Sequence, residues 1–533
     1  MPRSLALLCA LLLLSFVSAC GSGGSDDPYV PFEAQFPDEG PGGSPTPPSL
    51  PPPAFPRTPV WTEDAFPFER VATYGSFPSD MDRLGATFFV TDADAVESDG
   101  ALVVAIDASG ATPAPSLRYS DTFLRAQDLV DSSGAPADAS APIGFGAFLN
   151  DVRVVADDLG FVLAGAGGSD SSPALSNLVV FDPTTGLVRQ VIDLANEVTG
   201  TVALHDSAGA RVTGDRFRQS GAEGVEYVPT SGGRGVLFVA MSNLLFDAPS
   251  FGAVKLPGTV QVFDVDPTAT SPVSARPQAG AATLTLFTRD HNPVALTHVE
   301  GAFGRDLLLV TVAGTTAFDA GWNLVPVTPA SVEVFDVQTL ALLGRFELGL
   351  VGLSAIRPAI GEDGAGHFVA FFASSVLGEV YLLRLDGLRE LLLDPDDVEV
   401  LRGPNNPIPI QTSLAGGPGG NVAGIALSGD GRTLVVSGFG DFFAFPSPRP
   451  GRLFALSLPA DLRTGSGFTN DFVPGTANIA TTSGRALGPC AVAALHPDGP
   501  EVFVLVSGSL STETFLGSGP GSLGTLTTFG RIR

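Results

Sequence analysis

The sequence predicts an all-β protein whose strands form seven four-stranded antiparallel blades closed into a ring, a seven-bladed β-propeller. Three observations support this. The first is composition: 64 Gly and 45 Pro accompany 44% hydrophobic and only 16% charged residues. That mixture suits strands and tight turns rather than helical bundles. The second is a repeat. A glycine turn followed by a strongly apolar strand recurs at Gly100, Gly160, Gly235, Gly304, Gly366, Gly431 and Gly499, with gaps of 60, 75, 69, 62, 65 and 68 residues. A near-constant pitch points to one closed architecture, because a single blade buries both faces only between neighbours. The third is a strand ending in Phe-Asp, found at Leu178–Asp182, Val260–Asp264 and Val332–Asp336. Four such strands arranged radially make a propeller blade.

Taken in order, residues 1–19 come first. Pro2-Arg3 gives a short basic start, and Leu5 to Val17 is almost wholly apolar. A helix of that length cannot cross a hydrocarbon core of about 30 Å, but it suits the centre of a signal peptide. Val17-Ser18-Ala19-Cys20 then resembles the lipobox of bacterial lipoproteins. The resemblance implies cleavage before Cys20 and its acylation, with palmitate among the chains. It also implies export to the bacterial envelope. Gly21 is not aspartate, which tilts sorting towards the cell outer membrane. One fatty chain binds membranes only marginally, at about 0.8 kcal/mol per buried CH₂, whereas several on one cysteine hold firmly.

Residues 20–64 read as a tether. They are rich in Gly, Ser and Pro, including Pro51-Pro52-Pro53, and carry acids at Asp26, Asp27, Asp38 and Glu39. Such a segment cannot bury enough apolar surface to offset its ordering entropy, and proline keeps it extended as a spacer.

Residues 65–533 are assigned to the propeller. Weaker third strands follow at Val380–Asp386 and Leu453–Leu458, and Ala341–Leu348 is a fourth strand. Ala423 to Ser437, with Ser428-Gly429-Asp430-Gly431 at its turn, resembles the hairpin of YVTN-type bacterial β-propellers, and Val332 to Leu348 resembles the third and fourth strands of the same blade. Gly429 stands where that family has proline, and Ser437-Gly438 replaces its Ala-Asn. The resemblance speaks for fold and says little about activity. The last unit is one strand short. Phe66–Tyr74 precedes the first hairpin without a blade of its own and is expected to supply the missing outer strand. Ring closure of this kind removes open sheet edges.

The formal charge of −28 arises from 28 bases against 56 acids, and Lys255 is the single lysine. An acidic surface repels phosphate backbones, which argues against nucleic acid as a partner. After removal of Cys9 only Cys20 and Cys490 remain, so stability is expected to come from packing rather than a disulfide.

Chemistry-bearing motifs are scarce. The five histidines, 205, 291, 298, 367 and 496, form no HExxH and no close His/Cys pair, so no metal is expected. Asp92-Ala93-Asp94 with Glu97 fails the calcium-loop template, because Val96 and Glu97 sit where a ligand and a glycine are required. Gly519 to Gly524 matches GxGxxG but precedes a strand-like segment, which removes a dinucleotide site. No GxSxG elbow is present. Quinone-dependent propeller enzymes and the propeller subunit of the outer-membrane assembly machine repeat a tryptophan motif per blade. Only Trp61 and Trp322 occur here. No catalytic residue and no cofactor is assigned.

Two sets of surface positions remain. Asn150, Glu226, His298, Glu300, Arg357, Asn421 and Cys490 lead into first strands and are expected to ring the central channel. Phe246, Phe251, Phe318, Trp322, Phe442 and Phe443 lie in long second-to-third-strand connections and form a candidate recognition face. Aromatics on rigidly mounted loops suit partner recognition, and they suit equally a plug over the blades. The sequence thus favours a binding or scaffold module with an envelope protein or glycan as partner, joined to the membrane through Cys20. The alternative is a lactonase-like or quinoprotein-like enzyme at the channel mouth.

Overall fold

In a computed structural model, the described residues are 69–70, 78–92, 102–107, 114–120, 129–131, 149–164, 176–205, 211–247, 252–302, 304–318, 324–362, 368–374, 376–385, 407–409, 422–427, 433–438, 452–457, 475–478, 493–498, 501–506 and 528–532. Among them the protein is all-β. A 3₁₀ turn lies at Ser231–Gly233. Cys20 and the tether lie outside the described residues.

The apolar, β-branched runs that follow the hairpin turns become second strands. Gly235–Met241 is buried along its whole length, and so is most of Arg305–Val312. Strands covered on both faces read as continuous apolar runs rather than as alternation. Seven sheets of the described residues begin with a hairpin and add strands outward, antiparallel at each step. The first is Pro78–Leu84, Thr87–Asp92, Leu102–Asp107 and Ala114–Ser120. The second is Leu149–Ala156, Leu159–Ala164, Asn177–Phe181 and Val188–Asp193, with Leu129–Asp131 added in parallel at its edge. The third is Ala222–Pro229, Gly235–Met241 and Thr259–Val265, whose outer side pairs with both Val273–Ala275 and Leu284–Phe287.

The fourth sheet is Pro293–Ala302, Arg305–Val312, Ala330–Asp336 and Leu342–Gly349. The fifth is Ala359–Glu362, Phe368–Ser374, Glu379–Arg384 and Ile408–Pro409. The sixth is Val422–Leu427, Thr433–Gly438, Arg452–Ser457 and Gly475–Asn478. The seventh is Ala493–Asp498, Glu501–Val506 and Thr528–Ile532, and its outer strand is Glu69–Arg70, with Glu69 opposite Phe529.

One expectation is corrected. Gly100 does not open a first hairpin: Leu102–Asp107 is the third strand of its sheet, and the hairpin turns at Gly85. Gly85 has φ of +60°, the left-handed conformation that glycine adopts without a Cβ penalty. The apolar strength of Leu102–Ile106 gave it the look of a second strand. Two sheets outside the repeat were not anticipated. Arg211–Arg218, Glu197–His205, Gly252–Lys255 and Leu244–Asp247 form one, and Thr316–Phe318 with Leu324–Pro326 forms the other.

The core lies between consecutive sheets. One cluster joins Phe89, Val103 and Ala105 of the first sheet to Val152, Val162 and Phe181 of the second. The next joins Phe161, Leu163 and Val180 of the second to Val225, Leu237 and Phe263 of the third. Further clusters join the third to the fourth, the fourth to the fifth, and the fifth to the sixth. First strands pack beside first strands. Gly224 comes so near the fourth sheet that a Cβ there would meet Ala295 Cα at 3.0 Å. Phe161, fully buried, stacks on Tyr227 of the next sheet with ring centroids 6.0 Å apart. Phe161→Ala is expected to cost about 3–5 kcal/mol in equilibrium chemical denaturation. A loss below about 1 kcal/mol would show that this junction does not hold the second and third sheets together.

Candidate functional site

The first strands of the early sheets carry a charge cluster, and their alternation explains it. In Asp80-Met81-Asp82 and Asp151-Val152-Arg153 the middle residue is buried in the apolar layers, at 3% and 0% exposure. A period of two turns the flanking charged side chains the other way.

These carboxylates serve the neighbouring strand. Asp80 Oδ2 accepts the Val152 N–H at 3.1 Å, and Asp82 Oδ2 accepts the Val154 N–H at 2.7 Å. Asp151 Oδ2 accepts the Val225 N–H at 2.7 Å. The first strands of the first and second sheets thus supply acceptors to backbone N–H groups of the next first strand, where a buried N–H without a partner would be costly.

Two arginines balance the acids. Arg153 donates to Glu226 Oε2 from Nη2 at 2.8 Å and from Nε at 3.2 Å, linking the second and third sheets. Arg357 lies just before the fifth sheet and reaches back 206 residues in sequence to Asp151. The same nitrogen, Nη2, stands 3.2 Å from Asp80 Oδ2 and donates to the Val152 carbonyl at 2.9 Å. Arg357 Nε is buried and has no hydrogen-bond partner.

Burial pushes the Asp151 carboxyl well above its usual range, the Asp80 carboxylate pushes it further, and Arg153 opposes both. Burial raises Glu226 as well, and Arg153 draws it back. Burial works against the charge on Arg153, but Glu226, Asp82, Asp151 and Asp80 outweigh it, and the guanidinium is held charged.

The expected channel ring is brought together in part. Glu226 and Arg357 belong to the charge cluster. His298 lies close enough to Glu226 to act on its charge, and His298 Nε2 is 3.7 Å from Asp306. Glu300 is exposed on the fourth sheet's first strand. Asn150 lies in the second sheet's first strand, with its side chain outside the described residues, as are Asn421 and Cys490 entirely. Of the aromatic face, Phe246 and Phe318 sit in the two additional sheets with side chains outside the described residues. Phe251, Trp322, Phe442 and Phe443 lie wholly outside them.

Sequence reasoning missed Asp80, Asp82, Asp151 and Arg153. The available signal was charge at alternate positions of a strand immediately before a hairpin. Among the described residues no group of three or more His, Cys, Asp or Glu side chains is placed to hold a metal ion.

A second buried polar device recurs in the third strands. Gln261 donates from Nε2 to the Leu194 carbonyl at 2.7 Å, holding the segment that leaves the second sheet. Glu333 occupies the corresponding place in the fourth sheet, and its Oε1 accepts the N–H groups of Arg289 and Asp290 at 2.7 and 3.3 Å. Asp290 is fixed in turn by Ser331 at 2.5 Å and by Arg345 at 2.8 and 3.1 Å. Burial raises the Glu333 carboxyl from 4.5 to about 7.

No protein-family model and no curated protein matches the chain. Among solved structures it is similar to one described as the Dos1 propeller, at 10% identity over 87% of this chain and 95% of that one, with a TM-score of 0.37.

Proposed function

We propose that the chain is a lipid-anchored, seven-bladed β-propeller of the YVTN type. It sits in the bacterial envelope, at the outer membrane, and serves as a binding or scaffold module for a protein or glycan partner. The ring reading is supported above all by the packing of first strands. That of the first sheet lies beside that of the second, the second beside the third, the third beside the fourth, the sixth beside the seventh, and the seventh beside the first again. The pairing of Glu69–Arg70 with the final strand supports the same reading. The anchor rests on Val17 to Cys20 and the Gly/Ser/Pro-rich tether behind it.

Binding is favoured over chemistry because the two channel positions with the strongest chemistry, Glu226 and Arg357, are both committed to ion pairs. Such networks shift pKa values without making a catalyst.

Metabolic labelling with a palmitate analogue tests the anchor. Label is expected on the wild-type chain and absent from Cys20→Ser, with the variant released from the membrane fraction. Label retained in that variant would remove the anchor. Affinity capture from solubilised envelope tests the module. A partner lost on substituting Phe318 and Trp322 is the expected result, and recovery of nothing above background would count against it.

A further inference from the structure

We propose that Arg357 is an acid-releasable latch, fastening the segment that leads into the fifth sheet to the first and second sheets through Asp80 and Asp151, and loosened when the buried Asp151 carboxyl takes up a proton. The geometry is that of a tie between distant parts of the chain. Three acceptors from two sheets, Asp80 Oδ2, Asp151 Oδ1 and the Val152 carbonyl, meet one guanidinium nitrogen. Arg357 Nε makes no hydrogen bond of its own. Two of the three acceptors are carboxylates, so most of the hold is electrostatic and weakens when a carboxylate is protonated. The Asp151 carboxyl is buried beside Asp80 and binds a proton more readily than an ordinary aspartate.

The release is selective. A neutral carboxyl keeps a carbonyl-like oxygen, so Asp151 can go on accepting the Val225 N–H group, and the Asp80 bond to Val152 is untouched. The first three sheets therefore stay joined while the link to the fifth weakens. The charged groups that act on Asp151 are Asp80 from the first sheet and Arg153 from its own strand; Asp82 and Glu226 act on Arg153, and His298 acts on Glu226. The sixth sheet's first strand, Val422–Leu427, has no titratable residue. The seventh's contains His496 and Asp498, whose side chains are outside the described residues. Arg153 and Glu226 form their own pair.

Hydrogen exchange on the full chain at pH 7.5 and 4.5, corrected for intrinsic rates, reads the latch. Protection of amides 353–360 is expected to fall about tenfold or more in acid, while that of Val152 and Val225 changes less. In Asp80→Asn with Asp151→Asn, protection of 353–360 is low at both pH values. Should that variant not fold, Arg357→Met is read the same way. Unchanged protection in the wild-type chain, or an acid-induced fall that persists in the variants, overturns the proposal.

Discussion

Glu333→Gln gains on the wild-type protein as the solution turns alkaline, by about 3 kcal/mol between pH 4 and pH 8. The sign follows from linkage. The folded-state carboxyl titrates at about 7 against 4.5 when unfolded, so the native state holds the proton more tightly. Stability from this group is therefore full below pH 4.5 and is lost as pH rises through 7. A gap of about 2.5 units at 1.36 kcal/mol each sets the order of magnitude. Glutamine keeps an acceptor for the Arg289 and Asp290 N–H groups and does not ionise. The chain already uses Gln261 at the corresponding place in the third sheet. Any fixed cost of the amide in that pocket shifts both pH values alike and cancels from the difference. Denaturant unfolding of both proteins at pH 4 and pH 8 measures it. A stability difference that stays the same at the two pH values would show that Glu333 is not a buried acid in the folded protein.

What could be read from the residues follows a physical divide. Local signals were legible. The Phe-Asp strand endings are such a case, for their aspartates close the turn that follows. Asp182 Oδ1 accepts the N–H groups of Thr184 and Thr185, both at 2.9 Å, and Asp336 Oδ1 accepts that of Thr339 at 2.7 Å. Short side chains that bond their own backbone two or three residues on are turn formers wherever they occur. The fourth strand expected at Ala341–Leu348 is found at Leu342–Gly349.

Long-range assembly was not legible. The sheet that joins Glu197–His205 to Gly252–Lys255 brings together segments from two separate connections, and its only direct register between them is His205 opposite Lys255. No local pattern announces such a pairing, because loop-length sequence is compatible with many partners. The charge cluster was hidden for the same reason. Asp80 and Arg357 are ordinary strand-edge and loop residues until the fold sets them 3.2 Å apart. A search for motifs finds groups close in sequence, whereas this cluster draws on the first three sheets and the segment before the fifth.

Arg357→Met is expected to destabilise the protein by about 3–5 kcal/mol at pH 7.5. Methionine replaces part of the arginine stem but takes from Asp80 and Asp151 the cation that contacts them both, where water reaches poorly. Breaking a buried pair by removing one partner leaves an uncompensated charge, and that charge supplies most of the penalty. Two consequences separate this account from a simple loss of packing. The penalty shrinks at pH 4.5, as the buried Asp151 carboxyl takes up a proton, whereas a packing defect would persist. Adding Asp151→Asn to Arg357→Met also recovers part of the loss, because the second change removes a charge that the first left unpaired. In a double-mutant cycle the two residues are therefore coupled by more than about 1 kcal/mol. Additive losses, equal at both pH values, would mean that Arg357 fills space and does not tie the sheets together by charge.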